Sequence, residues 1–195
     1  CSSDLVLTDT PDDVFLDQDA SQIEFRIIAH YIKDEAAIKA YTENPDTDFH
    51  AWVAHLCKIK RKPAKTVNFA TAYGAGMRNI LGQLAANEDI ITEVNAEIAG
   101  LIAEGKASET SRLKLFEKLT QKRAKDVYTA YHDNLPSLKS TAKSAGAVAA
   151  SRGFIFNLFG RRRHLPQKAA HVAFNTLCQG TAMDIVKRRM IATAP

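Results

Sequence analysis

The spacing of apolar and polar residues divides this chain into short strand-like runs near its two ends and a long helical stretch between them. Val14-Phe15-Leu16 is an apolar run closed by Asp17-Gln18-Asp19, which suits a buried strand leading into a turn. Ser21 and Glu24 then stand at capping-box spacing, and Ile23, Ile27, Ile28 and Tyr31 follow at helical intervals. The prediction is strand, turn and helix, with Asp19 at the junction. A second helix is predicted over 48–57, with Asp48 as its cap and Trp52, Val53 and Leu56 on one side. A third starts near Pro63, whose missing N–H costs nothing in a first turn, and stops at Gly74-Ala75-Gly76. From Ile80 to Tyr131 the pattern is helical throughout. One stripe runs through Ile90, Ile91, Val94, Ile98, Leu101 and Ile102, and another through Leu113, Phe116, Leu119 and Val127. The polar break Gly105-Lys106-Ala107-Ser108 between them predicts a helical hairpin. A helix after Pro136 covers 138–150, and Gly153 opens the apolar run Phe154 to Phe159, read as a strand. Gly160 turns the chain into three arginines, and a last helix begins near Lys168.

At 195 residues and 46% apolar content the chain can bury a real core as one ordinary domain. No apolar stretch reaches the length of a membrane span, and no basic, apolar leader opens the chain. Cys1, Cys57 and Cys178 show no metal-like or redox-like pairing and read as reduced thiols of a cytosolic protein. Cys1-Ser2-Ser3-Asp4-Leu5 resembles a translated adapter and is set aside; both ends read as cut. The net charge of +4 says little about partners. Its distribution says more, because Lys58 to Lys65 holds five cations in eight residues and Arg161, Arg162 and Arg163 are consecutive.

Lys65, Phe69 and Tyr73 recur every four residues, so each step drifts only about 40° and the three share one helix face. A cation followed by two rings suits a nucleoside triphosphate: the ammonium meets phosphate, and the aromatic faces meet sugar and base. Arg61, Lys62 and the free N–H groups of the first turn add a positive helix end. The same residues also fit a plainer reading, with the rings in a core and the cations solvated. Asp19 suits either a turn or a hard oxygen ligand for Mg²⁺, and Asp17 competes with it. His30, His55, His132, His164 and His171 lack metal-ligand spacing with another His or Cys. No Ser-His-Asp or Cys-His arrangement is supported, and Gly74-Ala75-Gly76 is better explained as a helix stop than as a dinucleotide loop.

Four blocks overturn the plainer readings. Asp19-Ala20-Ser21-Gln22-Ile23-Glu24-Phe25-Arg26-Ile27-Ile28-Ala29-His30 resembles the first palm motif of family A DNA polymerases. Arg61, Lys65, Asn68-Phe69 and Tyr73-Gly74 resemble the fingers motif of the same family. Gly160-Arg161-Arg162-Arg163 with Pro166 resembles a third block. Ala173-Phe174-Asn175 with Gln179-Gly180-Thr181-Ala182 and Asp184 resembles a fourth, and all four stand in the family's order over residues 19 to 184.

The resemblance implies a helix-rich α+β fold, the fingers and part of the palm of a right-hand-shaped DNA polymerase. A palm strand segment is expected over 1–22, helical fingers over 23–160 with a hairpin insertion near 87–127, and the start of a return to the palm over 161–195. The implied activity is template-directed deoxynucleotidyl transfer to a primer 3′-hydroxyl by a two-metal mechanism, in DNA replication or repair. The implied cofactor is Mg²⁺, and the implied partners are a DNA primer-template and deoxynucleoside triphosphates. Asp19 would hold the metal ions, aided by the Ala20 carbonyl. Arg61 and Lys65 would bind the triphosphate, Lys65 also as proton donor to pyrophosphate. Gln22 and His50 would add phosphate contacts, and Glu24 would exclude ribonucleotides. Phe69 would pack on the incoming nucleotide, and Tyr73 would occupy the template-base position when the fingers open. Asn175 and Gln179 would reach the minor groove, while Arg161, Arg162 and Arg163 would meet template phosphates.

The chain departs from the family pattern at three points. The family's His-Asp-Glu motif does not occur in these residues, so the second catalytic carboxylate is expected outside them. The 195 residues alone are therefore expected not to extend a primer. The stretch between Gly74 and Pro136 is longer than usual, and the first helix of its hairpin is acidic (Glu88, Asp89, Glu93, Glu97, Glu104). That surface is unsuited to facing DNA by charge and is open either to solvation or to contact with a replication accessory protein. His171 stands where the family carries arginine. Two other readings stand beside this one. Glu24 within Ser-Gln-Ile-Glu argues against a single-subunit RNA polymerase. A non-catalytic basic DNA-binding module accounts for the charge but not for the four ordered blocks. The expected setting is the cytoplasm of a bacterial or phage-infected cell, with the insertion and the Tyr73-Gly74-Ala75-Gly76 ending leaning toward phage.

Overall fold

The computed structural model describes residues 20–193, so the strand reading at 14–16, Asp17, Asp19 and the opening pentapeptide lie outside the described residues. The described elements are α1 (Ile23–Ile32), α2 (Glu35–Glu43), α3 (Phe49–Cys57), α4 (Arg61–Ala72), α5 (Met77–Ala85), α6 (Glu88–Ala103), α7 (Arg112–Asn134), α8 (Pro136–Arg152), β1 (Phe154–Phe156), β2 (Arg162–His164) and α9 (Ala173–Thr193). This is the helix-rich α+β arrangement that the sequence predicts. No helix among the described residues is long and apolar enough to cross a membrane.

The start of α1 differs from expectation. Gln22, not Ser21, is the N-cap, in a left-handed conformation (φ 52°) without a side-chain cap, so the capping box does not form. The Gln22 side chain is engaged elsewhere: its Nε2 donates to Thr47 O (3.1 Å) and its Oε1 accepts from Phe49 N (2.9 Å). It therefore ties the start of α1 to the start of α3. Helix α2 has only Ala37 and Tyr41 buried, too weak a stripe to announce itself, but Asp34 caps it by accepting from Ala37 N. Helix α3 follows the prediction, with Asp48 accepting from both His50 N and Ala51 N.

The long helical stretch is interrupted at Ala86 and Asn87, where Asn87 caps α6 by accepting from Asp89 N. The first stripe of the hairpin is correct in outline, with Ile90, Val94 and Ile98 buried. The second is wrong at Leu113, which is 83% exposed. The first half of α7 packs Leu115, Phe116 and Leu119 inward, on a face roughly 110° round the helix from Leu113.

The run read as a strand over Phe154 to Phe159 ends at Phe156. Asn157 Oδ1 accepts from Phe159 N (3.1 Å) and Arg161 N (2.9 Å), folding the chain back with Gly160 at φ 77°. Arg162 and Arg163 then lie in β2, antiparallel to β1, with Ile155 opposite Arg163 and Phe156 opposite Arg162. A 3₁₀ segment, Gln167–Val172, precedes α9.

One core joins α1, α3, α4, α5, the α6–α7 hairpin and α9, through Phe25, Val53, Val67, Leu84, Ile98 and Phe174 among others. The hairpin is thus built into the same core as the basic helix α4. A smaller cluster of Ala149, Ile155, Leu165 and Ala173 seats the β-hairpin. The end of α4 is pinned by Gly74. Its φ is +75°, and a Cβ there would lie 2.6 Å from the His171 carbonyl oxygen, so both conformation and space require glycine.

Candidate functional site

Helix α4 has a buried side (Pro63, Ala64, Val67, Asn68, Ala70, Thr71) and an exposed side carrying Arg61, Lys62, Lys65 and Tyr73, with Phe69 half-buried. The expected face is therefore formed. Phe69 and Tyr73 stack with centroids 5.9 Å apart, and Lys65 Nζ lies 5.9 Å from the Phe69 centroid. Lys65 is exposed and in no ion pair among the described residues.

The flank toward α3 is held by polar contacts. Arg61 binds Asp48 through Nη2 (2.6 Å) and Nε (2.8 Å), so its guanidinium is oriented by the N-cap of α3. Burial pushes the Asp48 carboxyl up, but the Arg61 hydrogen bond and charge, with the N–H groups of Ala51 and His50, outweigh it and leave its pKa lowered. His50 is only 6% exposed, edge-on to Phe25 (4.6 Å) and beside Phe69 (5.3 Å). Burial, opposed by Asp48 and reinforced by Arg61 and Lys65, brings its pKa down to about 4. At neutral pH it is an uncharged imidazole. Asn68 Nδ2 lies 2.9 Å from His50 Nδ1, so with the amide donating the ring proton sits on Nε2. His50 can offer a phosphate one neutral N–H, not a charge. Gln22 has both ends of its amide engaged, so it braces α3 in this arrangement.

At the far end of α4 three helices meet. Tyr73 Oη donates to Glu24 Oε2 (3.3 Å), and Gln179 approaches the same hydroxyl from α9. Burial first, then the Glu24 charge, raises the Tyr73 pKa, so the phenol stays protonated. Asn175 stands one turn before Gln179 on α9, half-buried. Ala20 is exposed, with its carbonyl accepting from Ile23 N (3.3 Å). Among the described residues no group of three acidic, His or Cys side chains could hold a metal.

The three arginines differ from one another. Arg161 Nε lies 3.1 Å from Asp184 Oδ2 and its Nη2 pairs with Oδ1, while Asn157 Nδ2 donates to Oδ2 (2.6 Å). These contacts, the Asn157 bond foremost, hold the Asp184 carboxyl below its ordinary pKa. Arg161 is thus partly neutralised, whereas Arg162 lies over the Phe154 ring (5.5 Å). Arg163 lines a cavity of about 310 Å³ with Arg161, Gln179 and Lys187.

The flank of α4 toward the hairpin is closed by charge. Lys60 binds Glu93 (2.9 Å), Lys62 binds Glu88 (3.1 Å), and Asn87 Nδ2 donates to Thr66 Oγ1 (3.2 Å). Glu97 binds Arg123 of α7 (3.2 Å). With Glu104 bound by Lys106 (2.7 Å), four of the five acids expected to be solvated or to meet an accessory protein are therefore paired within the chain.

Sequence reasoning gave no role to Phe25, whose ring contacts Phe49, His50 and Phe69, nor to Asn68, which orients His50. An asparagine at an otherwise apolar helix position was the available signal for the second.

The sequence profile of DNA polymerase family A matches residues 5–99 and 105–195. The DNA polymerase DpoZ of Salmonella phage PMBT28 is 32% identical over 184 residues, covering 90% of this chain and 27% of that protein. The DNA polymerase I of Streptococcus pneumoniae R6 is 29% identical over 203 residues, covering 92% of this chain and 19% of that protein. Among solved structures, the POL domain of Pol1 from M. smegmatis, in complex with DNA primer-template and dNTP, aligns with a TM-score of 0.59 and 25% identity. It covers 86% of this chain, which covers 27% of that one. The chain spans about a quarter or less of the length of these relatives.

Proposed function

Because the chain belongs to DNA polymerase family A, we propose that it supplies the nucleotide-gripping fingers of a template-directed DNA polymerase. The fingers would occupy 23–160, flanked by palm segments over 1–22 and 161–195. The observation that carries this is one face of α4, where exposed Lys65, in no ion pair among the described residues, half-buried Phe69 and then Tyr73 follow Arg61 and end beside Glu24.

In this reading Lys65 and Arg61 receive the triphosphate, Arg61 in an orientation set by Asp48. Lys65 is the group placed to give a proton to the departing pyrophosphate. Phe69 packs on the nucleotide. Glu24, held by the Tyr73 hydroxyl, crowds the sugar 2′ position. Asn175 and Gln179 face the minor groove of the growing duplex. Arg162 and Arg163 meet template phosphates more freely than Arg161, which is shared with Asp184. Neutral His50 contributes through Nε2–H, and Gln22 acts by bracing the α3 start.

Mg²⁺ is the cofactor this activity calls for. The donor chemistry fits, since Asp19 and the exposed Ala20 carbonyl are hard oxygen ligands; Asp19 lies outside the described residues. When bound, the metal would polarise the phosphoryl group and activate the primer hydroxyl. The setting would be the cytoplasm, in replication or repair.

The test is sugar selectivity in the full polymerase. Glu24→Ala should raise ribonucleotide incorporation relative to deoxynucleotide incorporation, with primer extension retained. Unchanged selectivity would overturn the sugar-gate role, and absence of any extension by the unaltered polymerase would overturn the reading itself.

A further inference from the structure

The turn between β1 and β2 is fastened to α9 by a buried polar cluster. Asn157, Thr181 and Asp184 are all buried; Asn157 Nδ2 donates to Asp184 Oδ2 (2.6 Å), and Leu158 N donates to Thr181 Oγ1 (3.5 Å). Asp184 also binds Arg161 through both carboxylate oxygens, so that cation is committed within the chain. Between the same turn, β2 and α9 lies the cavity of about 310 Å³. Its charged lining side chains are Arg161, Arg163 and Lys187, and no carboxylate lines it. Arg163 and Lys187 are exposed and in no ion pair among the described residues. The Lys187 charge does reach Asp184, whose carboxyl is held low by the Asn157 bond first and by Lys187 least. Successive strand side chains face opposite ways, so Arg162 turns from the cavity and covers Phe154. One carboxylate thus answers one of three cations, and two cations from different elements converge without an ion-pair partner.

That arrangement suits an oxyanion held from two sides, and three features of the lining narrow which one. No α4 residue lines the cavity, so it is separate from the face where Arg61 and Lys65 would take a triphosphate. No aromatic ring lines it either, so an unpaired base has nothing there to stack on. Gln179, the residue placed at the minor groove, does line it, and Lys187 follows Gln179 by roughly 12 Å along α9. The minor groove is about 6 Å wide, so a duplex touching Gln179 has backbone phosphates within that distance. We propose that the cavity seats a backbone phosphate of that duplex, with Lys187 as a contact residue beside Arg163. This rests on the polymerase reading above and adds to it a residue that lies beyond the four motif blocks. The contact is between charges alone, so it holds register, ignores sequence and weakens with salt.

The test measures affinity of the full polymerase for a blunt DNA duplex against salt concentration, and KM for deoxynucleotide on a primer-template. Lys187 is exposed, so Lys187→Gln should leave the fold intact. It should weaken duplex binding and lower the log K against log[salt] slope by about 0.9, the value for one lost phosphate contact. Lys187→Arg should keep the original slope, and KM for deoxynucleotide should stay unchanged in both variants. Lys114→Gln, an exposed lysine of the hairpin outside this cavity, is the control for loss of charge alone and should also keep the slope. An unchanged slope in Lys187→Gln would overturn the phosphate site, as would an equal fall in Lys114→Gln. A raised KM for deoxynucleotide with an unchanged duplex slope would overturn it too, assigning the cavity to the triphosphate. In each of these outcomes the unaltered polymerase still binds the duplex. If it bound no duplex at all, the polymerase reading itself would fail.

Discussion

The two flanks of α4 treat the same basic run in opposite ways. Toward the hairpin, Lys60 and Lys62 are each paired with a glutamate of α6, and Thr66 is bonded by Asn87. Toward α3, Arg61 is steered by the Asp48 cap, neutral His50 is wedged under Phe69, and Lys65 has no ionic partner among the described residues. Five cations in eight residues look like one patch in sequence. In the fold Lys60 and Lys62 are neutralised locally, Arg61 is oriented, Lys58 forms the C-cap of α3, and Lys65, in no ion pair among the described residues, is left to meet an anion. A local charge count therefore overstates the field a phosphate would feel, and the partner of each cation decides its use.

The sharpest test of this division is a pair of substitutions three residues apart. Lys65→Ala in the full polymerase should lower kcat for nucleotide incorporation by roughly 10²- to 10⁴-fold, the range for loss of a proton-transfer group. Lys62→Ala should change kcat little, since its charge already faces Glu88. Single-turnover incorporation measures both. Equal losses would erase the distinction between the flanks.

The closed flank also depends on the hairpin sharing the main core. Ile98 is fully buried within the cluster that contains Val67 and Leu84. Ile98→Ala should destabilise the whole fold by about 2–5 kcal/mol. Denaturant unfolding followed by Trp52 fluorescence, on α3, should show the full loss in one transition. An unchanged transition at Trp52 would mean that the hairpin unfolds by itself and cannot hold the flank.

The open flank has a pH signature. The folded pKa of His50, about 4, lies below its ordinary value of 6.5. As the pH falls, the unfolded chain therefore takes up this proton before the folded chain does. Stability from the neutral imidazole is full above about 6.5 and is lost as the pH drops toward 4. In His50→Gln the decline of Tm across this window should be shallower, by up to a few kcal/mol in free energy at the acid end. His132, also lowered by burial, and the lowered Asp48 and Asp184 carboxyls contribute to the decline that remains. Parallel Tm curves for the two proteins would show that His50 is not held neutral in the fold.

How much of this was legible beforehand follows a physical line. Helix α3 and its Asp48 cap, the stop at Gly74 and the shared face of Lys65, Phe69 and Tyr73 rest on local rules, and these stood. The Ser21 capping box failed because Gln22 found partners at Thr47 and Phe49, far along the chain. Leu113 misled because α7 packs its first half in a different direction from its second. The pairing of the α6 acids with Lys60 and Lys62 was invisible for a similar reason. Charge signs can be read from sequence, but which surfaces face each other is set by tertiary packing. Motif blocks carried the family, whereas the division of labour among cations needed the fold.

The smallest expected effect probes that pairing itself. Lys60, Lys62 and Glu88 are all largely exposed, and exposed ion pairs contribute little to stability because water and salt screen them. Glu88→Gln together with Glu93→Gln should therefore leave Tm nearly unchanged. What should change is the charge presented to a nucleotide. With both carboxylates gone, Lys60 and Lys62 add to the field around Lys65, and triphosphate should bind more tightly, by less than about fivefold at low salt. The gain should fade as ionic strength rises and the Debye length shrinks below the distance between the flanks. A gain that persists in high salt would point to a rearranged site rather than to released charge. No gain at low salt would mean that the α6 glutamates do not tune the nucleotide face, and the contrast between the flanks would reduce to Lys65 alone.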